Sequence, residues 1–219
     1  MITILNKTNS IFSQYLSEIR DKNVQRDSMR FRKNLERMGE IMAYEISKTL
    51  IYHPQQVQTP LGIADENVLL HYPVITSVLR AGLPLHQGIL NVFDKASNGF
   101  IAAYRNYEKD GTFTIKIEYS SCPDIENKVL ILTDAMLASG SSLELAYRAL
   151  LDRGTPAHTH IVSVIASKEG LNYLRKKMPD QKVTFWIGAL DDELTVKSYI
   201  VPGLGDAGDL AFGEKTIFG

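Results

Sequence analysis

An α/β fold is expected, with a mainly parallel sheet flanked by helices. Three observations carry this expectation. From Pro73 onward, short apolar runs alternate with amphipathic stretches, the order that parallel strands joined by crossover helices require. The apolar run Val129-Leu-Ile-Leu-Thr133 ends in an acid, Asp134, then passes through the small-residue loop Ala138-Ser-Gly-Ser-Ser142 into an amphipathic stretch starting at Leu143. No linker interrupts the 219 residues, so one domain over 1–219 is expected.

In chain order, Ser28 to Leu50 reads as a long helix, because Phe31, Leu35, Met38, Met42 and Ile46 recur at spacings of three and four. Candidate turns follow at His53-Pro54 and Pro60-Leu-Gly62. Val74 to Leu79 reads as a buried strand ending in Arg80-Ala-Gly82, Leu83 to Phe93 as a helix, and Phe100 to Tyr104 as a strand ending in Arg105. Residues 106–121 form an excursion: Asn106 to Gly111 is polar and turn-prone, and Thr112 to Tyr119 alternates like an exposed hairpin strand. Val129 to Thr133 is the central strand. Leu143, Ala146, Tyr147 and Leu150 face the core from the next helix, which Gly154 ends. Ile161 to Ala166 is a strand, Glu169 to Lys177 a helix stopped near Pro179, and Val183 to Leu190 the last long strand. The tail from Pro202 is glycine-rich.

The formal net charge of −1 offers no bulk attraction to nucleic acid or to an acidic membrane. A single cysteine, Cys122, rules out an internal disulfide framework and fits a reducing compartment. No signal peptide and no membrane-length apolar run is apparent, so a cytoplasmic protein is expected.

Arg80, Arg105 and Asp134 all stand at strand ends, and parallel strands gather their carboxyl ends on one edge, where open sheets bind ligands. Arginine grips phosphate oxygens with a planar fork. The loop Ala138 to Ser142 brings backbone N–H groups and three hydroxyls to a helix N-terminus, a phosphate cradle. Asp134 beside it can accept hydrogen bonds from ribose hydroxyls, so a phosphorylated sugar is the simplest fitting ligand. The tail Gly203-Leu-Gly-Asp-Ala-Gly208 matches G-x-G-x-x-G literally, but the helix, strand and acid of a dinucleotide site cannot follow it in the residues left. No Walker loop occurs. His158 and His160 are read as facing opposite sides of a strand, a poor metal pair. Cys122 lacks an evident histidine partner for catalysis, and Tyr44 and Trp186 read as core or interface.

Leu79-Arg-Ala-Gly-Leu83, Asp134 to Ser142 and above all Tyr199-Ile-Val-Pro-Gly-Leu-Gly-Asp-Ala-Gly-Asp209 resemble the uracil phosphoribosyltransferase family over nearly the whole chain. The resemblance implies the type I phosphoribosyltransferase fold, with a β-hairpin lid at about 106–121 and a C-terminal base-binding hood at about 191–219. It implies a pentosyltransferase that converts uracil and 5-phosphoribosyl 1-pyrophosphate (PRPP) to UMP and pyrophosphate, with Mg²⁺ held mainly through the pyrophosphate. Arg80 and Arg105 match the family's pyrophosphate-side arginines. The PRPP site would run from Asp134 through Ala135, Met136, Leu137, Ala138, Ser139, Gly140, Ser141 and Ser142, with Asp134 on the ribose and Ala138 to Ser142 on the 5′-phosphate. Ile200, Gly205 and Ala207 would meet uracil through backbone groups. Asp206 would lie beside the base and near the pyrophosphate and its metal, and Arg105 and Asp206 would be the catalytic residues.

The chain departs from the family at several places. Ala135 replaces a proline, Ser139 a threonine, and Asn106 an acid. Ser141 replaces a glycine, where a left-handed backbone would be strained. Leu210 stands where a basic residue is common. Two alternatives keep the same fold: a non-catalytic regulator sensing UMP or PRPP, and a transferase for another base. A homo-oligomer is implied, with the N-terminal helix and its methionines as a possible dimer face.

Overall fold

A computed structural model describes residues 1–107 and 113–214, and for 103–107, 113–116 and 180 it describes the backbone alone. Three parallel strands form the centre of the sheet: β4 (Val74–Leu79) lies between β5 (Ser97–Tyr107) and β7 (Val129–Thr133). Beyond β7 come β9 (His158–Ser167), β10 (Val183–Asp191) and β1 (Ile2–Ile4), all parallel to their neighbours. At the other edge β6 (Phe113–Ser121) returns antiparallel to β5, with a bulge between Ala102 and Ala103. The two-residue β8 (Met136–Leu137) adds to β9, completing the eight strands. The strands are continuous apolar runs because both faces are covered. On one face α1 (Ile11–Arg20), α2 (Ser28–Ser47) and α3 (Gly82–Val92) bury Phe12, Leu35, Met38, Met42, Leu85 and Ile89. On the other, α4 (Ser141–Leu150) and α5 (Lys168–Lys177) bury Leu143, Ala146, Leu150, Leu171 and Leu174.

The alternating strands and helices from Val74 to Asp191 follow the sequence-based reading, with shifted boundaries. The long helix ends at Ser47 rather than Leu50, its last turn closed by Thr49 N–H donating to Ile46. The turn expected at His53-Pro54 lies instead inside a strand. Tyr52–Thr59 (β2) and Gly62–Leu69 (β3) form an antiparallel ribbon of two strands, with the turn at Pro60-Leu61. Pro54 is tolerated because a two-stranded ribbon has an open side where a missing N–H leaves nothing unpaired. Of the methionines of α2, Met38 and Met42 are core residues, while Met29 is exposed. Trp186 is buried and Tyr44 is exposed.

His158 and His160 share one face, because side chains two apart on a strand point the same way; their rings lie 4.7 Å apart. Both are engaged elsewhere. His158 Nε2 meets Thr184 Oγ1 at 2.9 Å, and Trp186 Nε1–H donates to His160 Nδ1 at 3.0 Å. Burial holds His160 near a pKa of about 3, so it is neutral.

Candidate active site

The carboxyl ends of β4 and β7 are packed directly together. A side-chain carbon at Gly82, the first residue of α3 and two residues after Arg80, would lie 3.2 Å from Thr133 O and 3.5 Å from Asp134 Cα. The turns that carry Arg80 and Asp134 are thus neighbours, as their strand-end positions suggest. The Leu79–Arg80 peptide is cis. On the next strand, Ala102 pairs with Leu79, so Arg105 lies past the last β4–β5 pair, inside β5 rather than at its end, with its backbone paired to Ile115 of β6. The Arg105 side chain and the hairpin tip at 108–112 lie outside the described residues.

Asp134 is half-buried and, among the described residues, forms no ion pair. Its Oδ1 accepts from Met136 N–H at 3.4 Å. Desolvation outweighs the backbone amides of Met136 and Ala135 and pushes its pKa up to about 7. A carboxylate in this setting gains from any hydroxyl donor that approaches it.

The cradle is supported from behind. Ala135 O accepts from the amides of Val164 and Ile165 on β9, at 3.1 and 3.2 Å. Ser167 caps α5 by accepting from Gly170 N–H at 2.8 Å, and its hydroxyl donates to Ala138 O at 2.6 Å. Gly140 takes the left-handed conformation, with φ +84°, and Ser141 begins α4 as an ordinary helical residue. The strain expected at Ser141 is therefore absent: the one residue that needs a left-handed backbone here is still glycine. Ser139 Oγ–H donates to Ser141 Oγ at 3.2 Å. The Ser141 amide donates to Ser139 Oγ at 3.4 Å, and the next amides of the first turn of α4 have no acceptor within the helix.

The tail returns to this edge through two short strands, β11 (Glu193–Leu194) and β12 (Ile200–Val201), and a final short helix, α6 (Ala207–Phe212). Ile200 and Ala207 are buried. Gly205 has φ +95°, and a side-chain carbon there would meet nothing within 4 Å, so its backbone borders open space. Asp206 caps α6 by accepting from Asp209 N–H at 3.0 Å. Arg80 Nη2 donates to Asp209 Oδ1 at 3.0 Å and to Gly213 O at 3.1 Å, tying the β4 end to the tail. Arg32 on α2 donates to Ala211 O at 2.6 Å. Asp209 was not among the expected site residues. The second acid of Asp206-Ala-Gly-Asp209 was the available signal, but nothing in the sequence marked Arg80 as its partner.

Among the described residues no group of three or more His, Cys, Asp or Glu side chains gathers to hold a metal. Asp209 supplies hard oxygens beside Arg80, and Asp206 supplies more at the start of the same helix. Such a pair fits Mg²⁺ carried by a diphosphate, which keeps most of its ligands from phosphate and water, better than a metal caged by protein. Cys122 is half-buried against Thr76, and burial pushes its thiol pKa up, which disfavours the thiolate a nucleophile needs.

The sequence profile described as uracil phosphoribosyltransferase matches residues 7–214. The chain belongs to the uracil phosphoribosyltransferase family. A uracil phosphoribosyltransferase of Porphyromonas gingivalis is 52% identical over 211 residues, covering 96% of this chain and 97% of the relative. That of Pyrococcus furiosus is 39% identical over 206 residues, covering 93% and 86%. A solved structure of an Aquifex aeolicus protein superposes with a TM-score of 0.86 at 32% identity, over 97% of this chain and 98% of that one. The parallel sheet with helices on both faces is therefore the phosphoribosyltransferase fold. In this chain Arg80, at the end of β4, is bonded to Asp209 of the tail.

Proposed function

We propose that the chain is a uracil phosphoribosyltransferase, joining uracil N1 to C1 of PRPP to give UMP and pyrophosphate. The observation that carries this reading is the Arg80–Asp209 contact, which brings the family's tail loop against the edge that holds Asp134 and the cradle. In the reaction the bond from C1 to the pyrophosphate oxygen breaks, the N1–C1 bond forms, and the N1 proton is lost. Positive charge builds on the ribose and negative charge on the leaving group. Asp134 accepts the ribose hydroxyls and orients the ring. The amides and hydroxyls from Ala138 to Ser142 hold the 5′-phosphate, which supplies binding energy remote from the reacting carbon. Arg80 and Arg105 take the pyrophosphate, where fixed cations stabilise the departing charge. Mg²⁺, when bound through the pyrophosphate with Asp206 nearby, would neutralise further charge there. The hairpin 106–121 would close over the site and exclude water.

Uracil offers two carbonyls and the N3–H. A loop presenting backbone N–H, C=O and N–H in that order accepts uracil; cytosine inverts two of the three positions and leaves buried groups unpaired. The half-buried lone cysteine suits a reducing compartment such as the cytoplasm. No described helix is long and apolar enough to cross a membrane. A homo-oligomer is part of the same reading, and light scattering of the purified protein tests it.

The deciding assay is UMP formation from uracil and PRPP with Mg²⁺, with cytosine, hypoxanthine and orotate in parallel. Turnover with uracil alone is expected; binding of UMP with no turnover of any base would overturn the enzymatic reading. Gly205→Ala provides a second check. The positive φ at Gly205 disfavours an L-residue by about 1–2 kcal/mol, and the new methyl would enter the space assigned to the base. KM for uracil is expected to rise about tenfold while KM for PRPP holds.

A further inference from the structure

The loop assigned to the base is held by an ion pair that takes no part in the chemistry. Arg20, the last residue of α1, donates from Nη1 and Nη2 to Oδ2 and Oδ1 of Asp191 at 2.8 and 2.7 Å. Asp191 ends β10 and is 7% exposed. Both partners also bind the tail: Arg20 Nη1 donates to Gly203 O at 2.9 Å, and Asp191 Oδ2 accepts from Gly203 N–H at 2.9 Å. The two peptide groups that flank the Gly203 α-carbon are thus fixed by one pair of planar forks. Gly203 has φ +56°, and a side chain there would lie 2.1 Å from Ile200 O, so the turn is closed tightly on itself. The contacts from Arg32 and Arg80 hold α6, downstream of the loop. Between Val201 and Asp206 the Arg20–Asp191 pair sets the direction of the chain.

A base read by backbone groups is discriminated only as well as those groups are held, within about 0.5 Å and 10–20°. A buried ion pair contributes little net stability against an apolar replacement. What the bidentate geometry supplies is orientation. We propose that Arg20 and Asp191 are positioning residues that set both the affinity for uracil and the choice of uracil over cytosine. This inference rests on the proposed placement of the base against residues 200–207.

Steady-state kinetics on wild type, Arg20→Lys, Arg20→Met and the double variant Arg20→Met/Asp191→Asn test it. The double variant removes the charge that Arg20→Met would strand. Wild-type turnover of uracil tests the functional reading by itself, and its absence would remove the basis of the inference. With the wild type active, the Arg20→Met and double variants are expected to raise KM for uracil about tenfold or more, and to cut the uracil-to-cytosine ratio of kcat/KM by about tenfold. KM for PRPP should stay within about twofold, and Arg20→Lys, which keeps the charge but loses the fork, should fall between. A folded double variant whose uracil KM and base selectivity stay within about twofold of wild type would overturn the inference. So would a uniform loss of kcat at unchanged KM values, since a merely structural brace would behave that way. If the double variant does not fold, Arg20→Lys carries the test, with a shift of about threefold or more in the same two readouts as the supporting result and no shift as the overturning one.

Discussion

Asp134→Asn is expected to yield a more stable and nearly inactive protein. The carboxyl group has a pKa of about 7 in the folded state, against an ordinary value of 3.8. Between those two pH values the folded chain binds a proton that the unfolded chain has released. Stability therefore falls as pH rises from about 4 to about 7, and stays at the lower level above that. Asparagine keeps an oxygen to accept the Met136 amide and removes the buried charge. At pH 8 the gain should be roughly 2 kcal/mol, discounting the part of the residue that meets solvent. For a chain of this size that is a rise in Tm of about 4–8 °C. Activity should move the other way. Hydrogen bonds to a charged acceptor contribute about 1.5–3 kcal/mol each, so kcat/KM for PRPP should drop by about 100- to 1,000-fold. In wild type the ribose hydroxyls favour the ionised carboxylate, so PRPP affinity should weaken as pH falls below about 7. The variant, as the reference for titration of the ligand itself, should lack that component. Thermal denaturation across pH 4–8, with calorimetric binding of PRPP, checks both halves. A variant that melts lower than wild type at pH 8 would show that the carboxylate is better solvated than its surroundings indicate.

The central strand and its loop were legible because they obey short-range rules. Val129 to Thr133 is an apolar run of strand length, and Asp134 and the small residues after it mark the edge and the turn. Helix α1 has the same kind of signal, with Ser10 as its cap and Phe12, Leu16 and Ile19 at helical spacing, but it is short and flanked by polar residues, which weakens the pattern. The β2–β3 ribbon was hidden by Pro54, which reads as a breaker unless the ribbon is known to have only two strands. The tail contacts had no local signature. Arg80 and Asp209 are 129 residues apart, and Arg20 and Asp191 are 171 apart. Neither pair leaves a periodicity, and only the folded topology brings them together. The residues that would touch ligand could be recognised one by one, while those that hold them in place could not.

Gly170→Ala should impair PRPP use without touching the ligand. Gly170 lies in the first turn of α5, packed against the backbone of the cradle. A side-chain carbon there would lie 2.0 Å from Ala138 O, 2.9 Å from Ala138 C and 3.2 Å from Gly140 N. All three are backbone atoms, so no side-chain rotation relieves the overlap. Either α5 slides or the loop from Ala138 to Ser142 moves outward. Overpacking of this kind destabilises by about 1–3 kcal/mol, and alanine recovers up to about 1 kcal/mol through its better helix propensity. The net change in Tm should be only a few degrees. The positional effect is larger, because a displacement of about 1 Å in groups that orient a reacting substrate can lower the rate about 100-fold. The expected result is a fall of that size in kcat/KM for PRPP, with KM for uracil changed by less than about threefold. A folded variant with wild-type PRPP kinetics would mean that α5 yields and the cradle does not. The cradle would then be stiffer than its supports, held by Ala135 and the β8–β9 pairing rather than by the helix behind it.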